Sequence, residues 1–119
     1  MAVTYSTAVK TGRITATRDY HADGTLEILT AADAVLVTFG LSVAGGSVTG
    51  DTWTLAFDAS TVAATGTGTA AKAQIKNSGG TAGITGLTVG TSGSDINLDN
   101  TSIAADQNVT LSSATIQHA

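Results

Sequence analysis

A chain of 119 residues and 11.7 kDa is one domain's worth of protein, and 42% hydrophobic residues with only 4% aromatic and 12% charged point to a core of small side chains. The absence of Cys and Pro excludes disulfide scaffolds, zinc knuckles, thiol nucleophiles and PxxP ligands. Five Lys and Arg against nine Asp and Glu give a net charge of −4, which argues against wrapping a phosphate backbone, so no nucleic-acid partner is expected.

The opening Met1–Thr7 has neither a basic start nor an apolar run of signal-peptide length, which leads us to expect an intracellular chain. Tyr5, Ala8, Val9, Gly12, Ala16 and Tyr20 then recur at helical spacing as one narrow apolar face, with Lys10, Arg13 and Arg18 on the solvated side. Thr4 or Ser6 can cap the start, and Gly24 supplies a left-handed stop after Ala22-Asp23, so the pattern predicts a helix from Ser6 to Ala22. The β-branched Ile14, Thr15 and Thr17 keep an extended arm open as the competing reading.

After Gly24 the period changes to two. Leu26 and Ile28 alternate with Thr25 and Glu27, and after the short connection Thr30–Asp33 the residues Val35, Val37, Phe39 and Leu41 alternate with Leu36, Thr38 and Gly40. Gly45-Gly46 and Gly50-Asp51 punctuate the next stretch. Trp53, Leu55 and Phe57 share one parity of a third strand, which places the only Trp at the centre of the core. Asp58 to Gly68 reads as a long crossing, followed by a strand in which Ala71, Ala73 and Ile75 alternate with Lys72, Gln74 and Lys76, and by a turn at Asn77–Gly80. Ile84, Leu87 and Val89, then Ile96 and Leu98, then Val109 and Leu111 mark the remaining strands. Ala114 and Ile116 have the opposite parity to Val109 and Leu111, so a bulge near Ser112-Ser113, as suits an edge strand, would bring all four inward. The longest apolar run, Ala34–Leu41, is too short to span a membrane, and no membrane partner is expected.

The predicted fold is therefore mainly β: an antiparallel β-sandwich, jelly-roll or immunoglobulin-like, preceded by one N-terminal amphipathic helix. Residues 1–119 form a single domain, with 1–23 as helix or arm and 24–119 as the sandwich. Ala and Thr make up roughly a third of the chain, so the core is thin and an isolated monomer marginal; contact with copies of itself or a larger partner would offset this.

Candidate chemistry is sparse. Gly66-Thr67-Gly68-Thr69-Ala70-Ala71 spells a loose dinucleotide fingerprint, but the Lys72, Gln74, Lys76 alternation that follows is a strand pattern where a helix is needed, and no acidic residue stands about twenty positions on to hold a ribose, so no cofactor is expected. Asp19, His21 and Asp23 would form a metal site only if extended; on a helix His21 points away from both acids. His118 is penultimate, and Asp95, Asp99, Asn100 and Asp106 match no calcium-loop spacing and read as polar turns. Asn100-Thr101-Ser102 and Asn108-Val109-Thr110 match the glycosylation pattern but read as polar turns without a secretory signal. Hydroxyls abound, yet no Gly-x-Ser-x-Gly elbow occurs and only two His exist to serve as bases. No catalytic, cofactor or metal residues are assigned, and the chain is expected not to be an enzyme.

The stretch Gly86–Ile103, reading GLTVGTSGSDINLDNTSI, with Asn108–Ile116, reading NVTLSSATI, and the opening MAVTYSTAVKT resemble a family of small tailed-bacteriophage virion structural proteins. The resemblance covers the whole chain, most vaguely between Asp33 and Thr69, and carries no catalytic motif. It implies a virion component assembled in the bacterial host cytoplasm, in contact with the major capsid protein or with tail and neck proteins, and homo-oligomeric. The leading role is head decoration or cementing; the alternative is a tail, neck or fibre-base adaptor. A carbohydrate-binding module is a third reading from another class, and it needs an exposed Trp53.

Overall fold

The computed structural model describes residues 5–117, so the alternative cap Thr4 and the penultimate His118 lie outside the described residues. Helix α1 runs Thr7–His21, with the Ser6 hydroxyl accepting from the Val9 amide at 3.3 Å. It is a helix, as the spacing predicts, and not an extended arm. The left-handed residue that ends it is Asp23, with φ 61°, and not Gly24. Gly24 is there for a different reason: a Cβ on it would stand 2.0 Å from the Lys76 carbonyl oxygen and 2.8 Å from that of His21.

Among the described residues ten strands follow: β1 Thr25–Leu29, β2 Val35–Thr49, β3 Thr52–Phe57, β4 Thr61–Ala63, β5 Gly68–Thr69, β6 Lys72–Lys76, β7 Ala82–Gly90, β8 Ile96–Leu98, β9 Ser102–Ile103 and β10 Asn108–Gln117. The chain is thus mainly β with one N-terminal helix. Two face-to-face sheets are not what the pairing shows. Strands run in the order β3-β2-β1-β6-β7-β8-β10, and β10 returns to pair with β3 through Ile116 and Trp53, closing a seven-strand barrel in place of the expected sandwich. Nor is the sheet wholly antiparallel, since β7 and β8 run parallel through Val89–Ile96 and Gly90–Asn97. The short β4 lies along the first half of β10, inside the stretch expected to be a plain crossing, and β5 pairs with β9 separately.

The bulge expected near Ser112 is present, where the register with β8 steps from Leu111↔Leu98 to Ser113↔Asn97 and leaves Val109, Leu111 and Ala114 buried and Ile116 half-buried. The strand that carries it is no edge: β10 is bonded on both sides, and the bulge re-aims its second half toward β3. A second irregularity, between Ile28 and Leu29, shifts the β1–β2 register so that Leu36 faces in and Val35 faces out, against the simple alternation. Along β6, Ala73 and Ile75 are buried as expected, whereas Ala71 precedes the strand and is exposed.

The helix packs with the opposite face from the one its apolar spacing suggests. Ile14 and His21 are buried against the barrel, flanked by half-buried Lys10, Thr11, Thr17 and Arg18, while Ala8, Val9, Gly12, Ala16 and Tyr20 face out. Ala and Gly bury little area whichever way they point, so one well-fitted Ile and His outweigh them, and the aliphatic stems of Lys10 and Arg18 help to cover the barrel. Among the described residues no helix is long and apolar enough to cross a membrane.

Candidate functional site

The densest polar and aromatic constellation lies where α1 meets the barrel. The end of β1's approach and the corner of β2 hold the helix C-terminus, with the Asp23 amide donating to the Ser42 carbonyl at 3.0 Å. Near its middle the helix is tied by the Thr11 hydroxyl donating to the Gly50 carbonyl in the β2–β3 hairpin. At this corner the β2–β3 register slips between Leu41 and Gly46, which frees the Gly45 carbonyl to accept from Trp53 Nε1 at 2.9 Å. Trp53 is fully buried, so its one polar atom is satisfied by a strand irregularity.

His21 stacks beside it, ring centroids 6.1 Å apart and planes at 27°, and meets Tyr20 edge-on at 4.8 Å. The ring is 3% exposed. Its Nδ1 lies 2.7 Å from the Thr17 carbonyl oxygen, which can only accept, so Nδ1 is the donor of that hydrogen bond. Nε2 is buried without a hydrogen-bond partner and faces Gly83 of β7, where an added Cβ would lie 2.2 Å from it and 3.0 Å from Tyr20 Cε1. An open groove of about 560 Å³ runs here between Ala16, Thr17, Tyr20 and His21 of the helix and Gly83 and Ile84. A second depression of about 320 Å³ lies where β3 and the bulged part of β10 diverge, lined by Leu55, Phe57 and Leu111 with a rim of Ser and Thr hydroxyls.

The interlock of His21 with Gly83 is testable. Gly83→Ala is expected to destabilise by about 1–3 kcal/mol, because the His21 ring is confined by Trp53 and Tyr20 and cannot swing away. In a double-mutant cycle with His21→Ala the two losses should be less than additive; full additivity would show that the clash is absorbed elsewhere.

The candidate ligands are not brought together. His21 faces the barrel, Asp19 is exposed and paired with Arg18 at 3.0 Å, and Asp23 occupies the left-handed turn. Each acid of the C-terminal set serves its own loop. Asp95 exchanges hydrogen bonds with Thr88, Asp99 accepts from the Thr110 amide at 3.1 Å, Asn100 accepts from the Ser102 amide, and Asp106 forms a left-handed turn. No group of three His, Asp or Glu side chains suited to a metal gathers among the described residues. The Gly66–Ala71 stretch contains β5 and leads into β6, without the strand-to-helix turn a pyrophosphate requires. Of the two glycosylation-pattern asparagines, Asn100 lies in a turn, whereas Asn108 begins β10 opposite Ala63.

Sequence reasoning missed His21 as a packing residue. Its signal is the spacing Ile14, Arg18, His21, a second helical stripe hidden by the more apolar one. No family model, curated protein or solved structure matches the chain.

Proposed function

We propose that this protein is a non-enzymatic structural component of a tailed-phage virion, a head decoration or cementing protein that sits on the capsid in many copies and bridges neighbouring subunits. The reading starts from the resemblance carried by Gly86–Ile103 and Asn108–Ile116. The observation that supports it best is the outward face of α1. Val9 is 43% and Tyr20 52% exposed, and Val43, on the β2 corner that receives the helix, is 77% exposed, so a thin-cored chain collects large apolar side chains at one end. A part stabilised by lattice neighbours gains from covering such an end, as any ligand of the native state shifts folding toward it. The glycan-binding alternative loses its main support, since the Trp53 it required is buried.

Peptides from washed particles, quantified against the major capsid protein, are expected to give hundreds of copies for a head decoration, against about six to a few dozen for a symmetric neck or tail position. Absence from the particles would sink both virion roles. Density on the capsid shell in cryo-electron microscopy is the matching expectation.

A further inference from the structure

Strand β7 is only half partnered. Among the described residues its first part, Ala82–Leu87, pairs with β6 alone, and β8 joins its other side only through Val89–Ile96 and Gly90–Asn97. At the β8 end the Asp95 carboxylate closes the seam by accepting from the Thr88 amide at 3.2 Å, so the unpaired edge runs from Ala82 to Leu87. Along it Ala82, Gly83, Thr85 and Gly86 are exposed and Ile84 is half-buried. Such an edge offers main-chain N–H and C=O groups to any extended chain, and this one carries neither a charged side chain nor a proline to discourage pairing.

The edge borders the larger of the two grooves. Helix α1 forms one wall with Ala16, Thr17, Tyr20 and His21, β7 forms the other with Gly83 and Ile84, and no acidic or Lys or Arg side chain lines the space of about 560 Å³ between them. His21 Nε2, buried without a hydrogen-bond partner, belongs to this lining and faces Gly83, which has no side chain to cover it. A helix wall, an unpaired strand edge and an unsatisfied buried nitrogen meet in one place.

We propose that the groove between β7 and α1 receives an extended, uncharged segment of another protein, which adds to the edge of β7 as a further strand. The main chain of the segment supplies the hydrogen bonds that Ala82–Leu87 lacks on this side, and its side chains rest against Ile84 and the Tyr20 ring. A charged segment is disfavoured because the lining offers no carboxylate or ammonium to pair with it. A Ser or Thr is favoured opposite Gly83, since a hydroxyl both donates and accepts and so suits His21 Nε2 in either protonation state. A second copy of this chain fits less well. The register between β7 and β6 shifts twice, between Ala73 and Ile75 and between Ile75 and Lys76, so the edge is bulged; two folded copies of a bulged edge cannot form one continuous ladder, whereas a single flexible segment follows the bulges. The inference goes beyond the virion role and does not depend on it.

The test uses the full chain and a set of acetylated, amidated pentapeptides made only of Ala, Val, Ser and Thr, with chemical shifts and amide hydrogen exchange read by NMR. At about 1 mM, the best-binding peptide should slow exchange of the edge amides within Ala82–Leu87 by about tenfold or more. That peptide is then N-methylated at alternate residues in two forms, each keeping every side chain but blocking one edge of its main chain. The form blocked on the edge that meets β7 should bind about tenfold more weakly or worse, and the other form should bind normally. Ala16→Arg, at an exposed helix position in the groove wall, should weaken binding by about tenfold, while Ala8→Arg, exposed on the same helix about two turns away, should leave it unchanged; circular dichroism checks that both variants fold. A peptide set that protects none of these amides overturns the proposal, and so do two methylated forms that bind alike or shifts that map to the depression between β3 and β10. Protection of Ala82–Leu87 that rises with protein concentration in the absence of peptide also overturns it, because the edge is then taken by a second copy.

Discussion

Replacing Gly46 with alanine is expected to cost about 4 kcal/mol or more, a large share of the stability of a thin-cored domain. Gly46 has φ 119°, a backbone conformation that side chains with a Cβ rarely adopt. An added Cβ would also stand 2.1 Å from the Thr54 carbonyl oxygen and 2.9 Å from the Ala56 amide nitrogen. Both obstacles are backbone of the paired strand, so relief requires breaking the β2–β3 ladder where the register resumes at Gly46↔Leu55. That corner also positions Gly45 to bond Trp53 and Ser42 to hold the helix, so the loss spreads beyond one contact. Gly50→Ala is the control: φ is 61° there but nothing lies within 4 Å of the new methyl, and the expected cost is only about 1–2 kcal/mol. Urea unfolding of both variants checks the contrast, and equal losses would show that dihedral strain alone is responsible.

Trp53→Ala should destabilise the fold by about 3–5 kcal/mol. The indole is wholly buried, pairs across β3 with Val48 on one side and Ile116 on the other, stacks on His21 and donates to Gly45. Truncation removes the largest side chain of the core, leaves the Gly45 carbonyl without its donor and withdraws the surface on which the helix histidine rests. It also removes a residue adjacent to the β3–β10 closure, so the barrel seam is the place where hydrogen exchange should accelerate first. The unmodified protein should show the blue-shifted emission of a buried indole; a water-exposed maximum would contradict the packing.

Most of the strands were legible because their information is local. Leu26 and Ile28 alternating with Thr25 and Glu27, or Trp53 and Leu55 with Thr52 and Thr54, state which side faces in wherever the strand lies, and all four apolar residues are buried. The parity change at Ser112 announced a bulge for the same reason, since two inward pairs out of phase need one extra residue between them. The helix was marked by its cap, Ser6, and by the period of its first turns. Of the candidate site, the burial of Trp53 followed from its strand parity, while its hydrogen bond to Gly45 and its stack on His21 did not.

The tertiary structure alone decided which strands meet. Main-chain hydrogen bonding is the same chemistry for every residue, so closure of β10 on β3 and the parallel run of β7 beside β8 leave no local trace, and short strands rich in Ala, Thr and Gly offer few large side chains to distinguish one partner from another. The orientation of α1 was decided in the same way. Half of its more apolar stripe is Ala and Gly, which does not outweigh the burial of Ile14 and the close approach of His21 to Gly83 and of Arg18 and Ala22 to Gly45, and those approaches exist only after the barrel has formed. What the 119 residues determined by themselves was the inward side of most strands and the bounds of one helix; closure and packing face came from shape complementarity between segments distant in the chain.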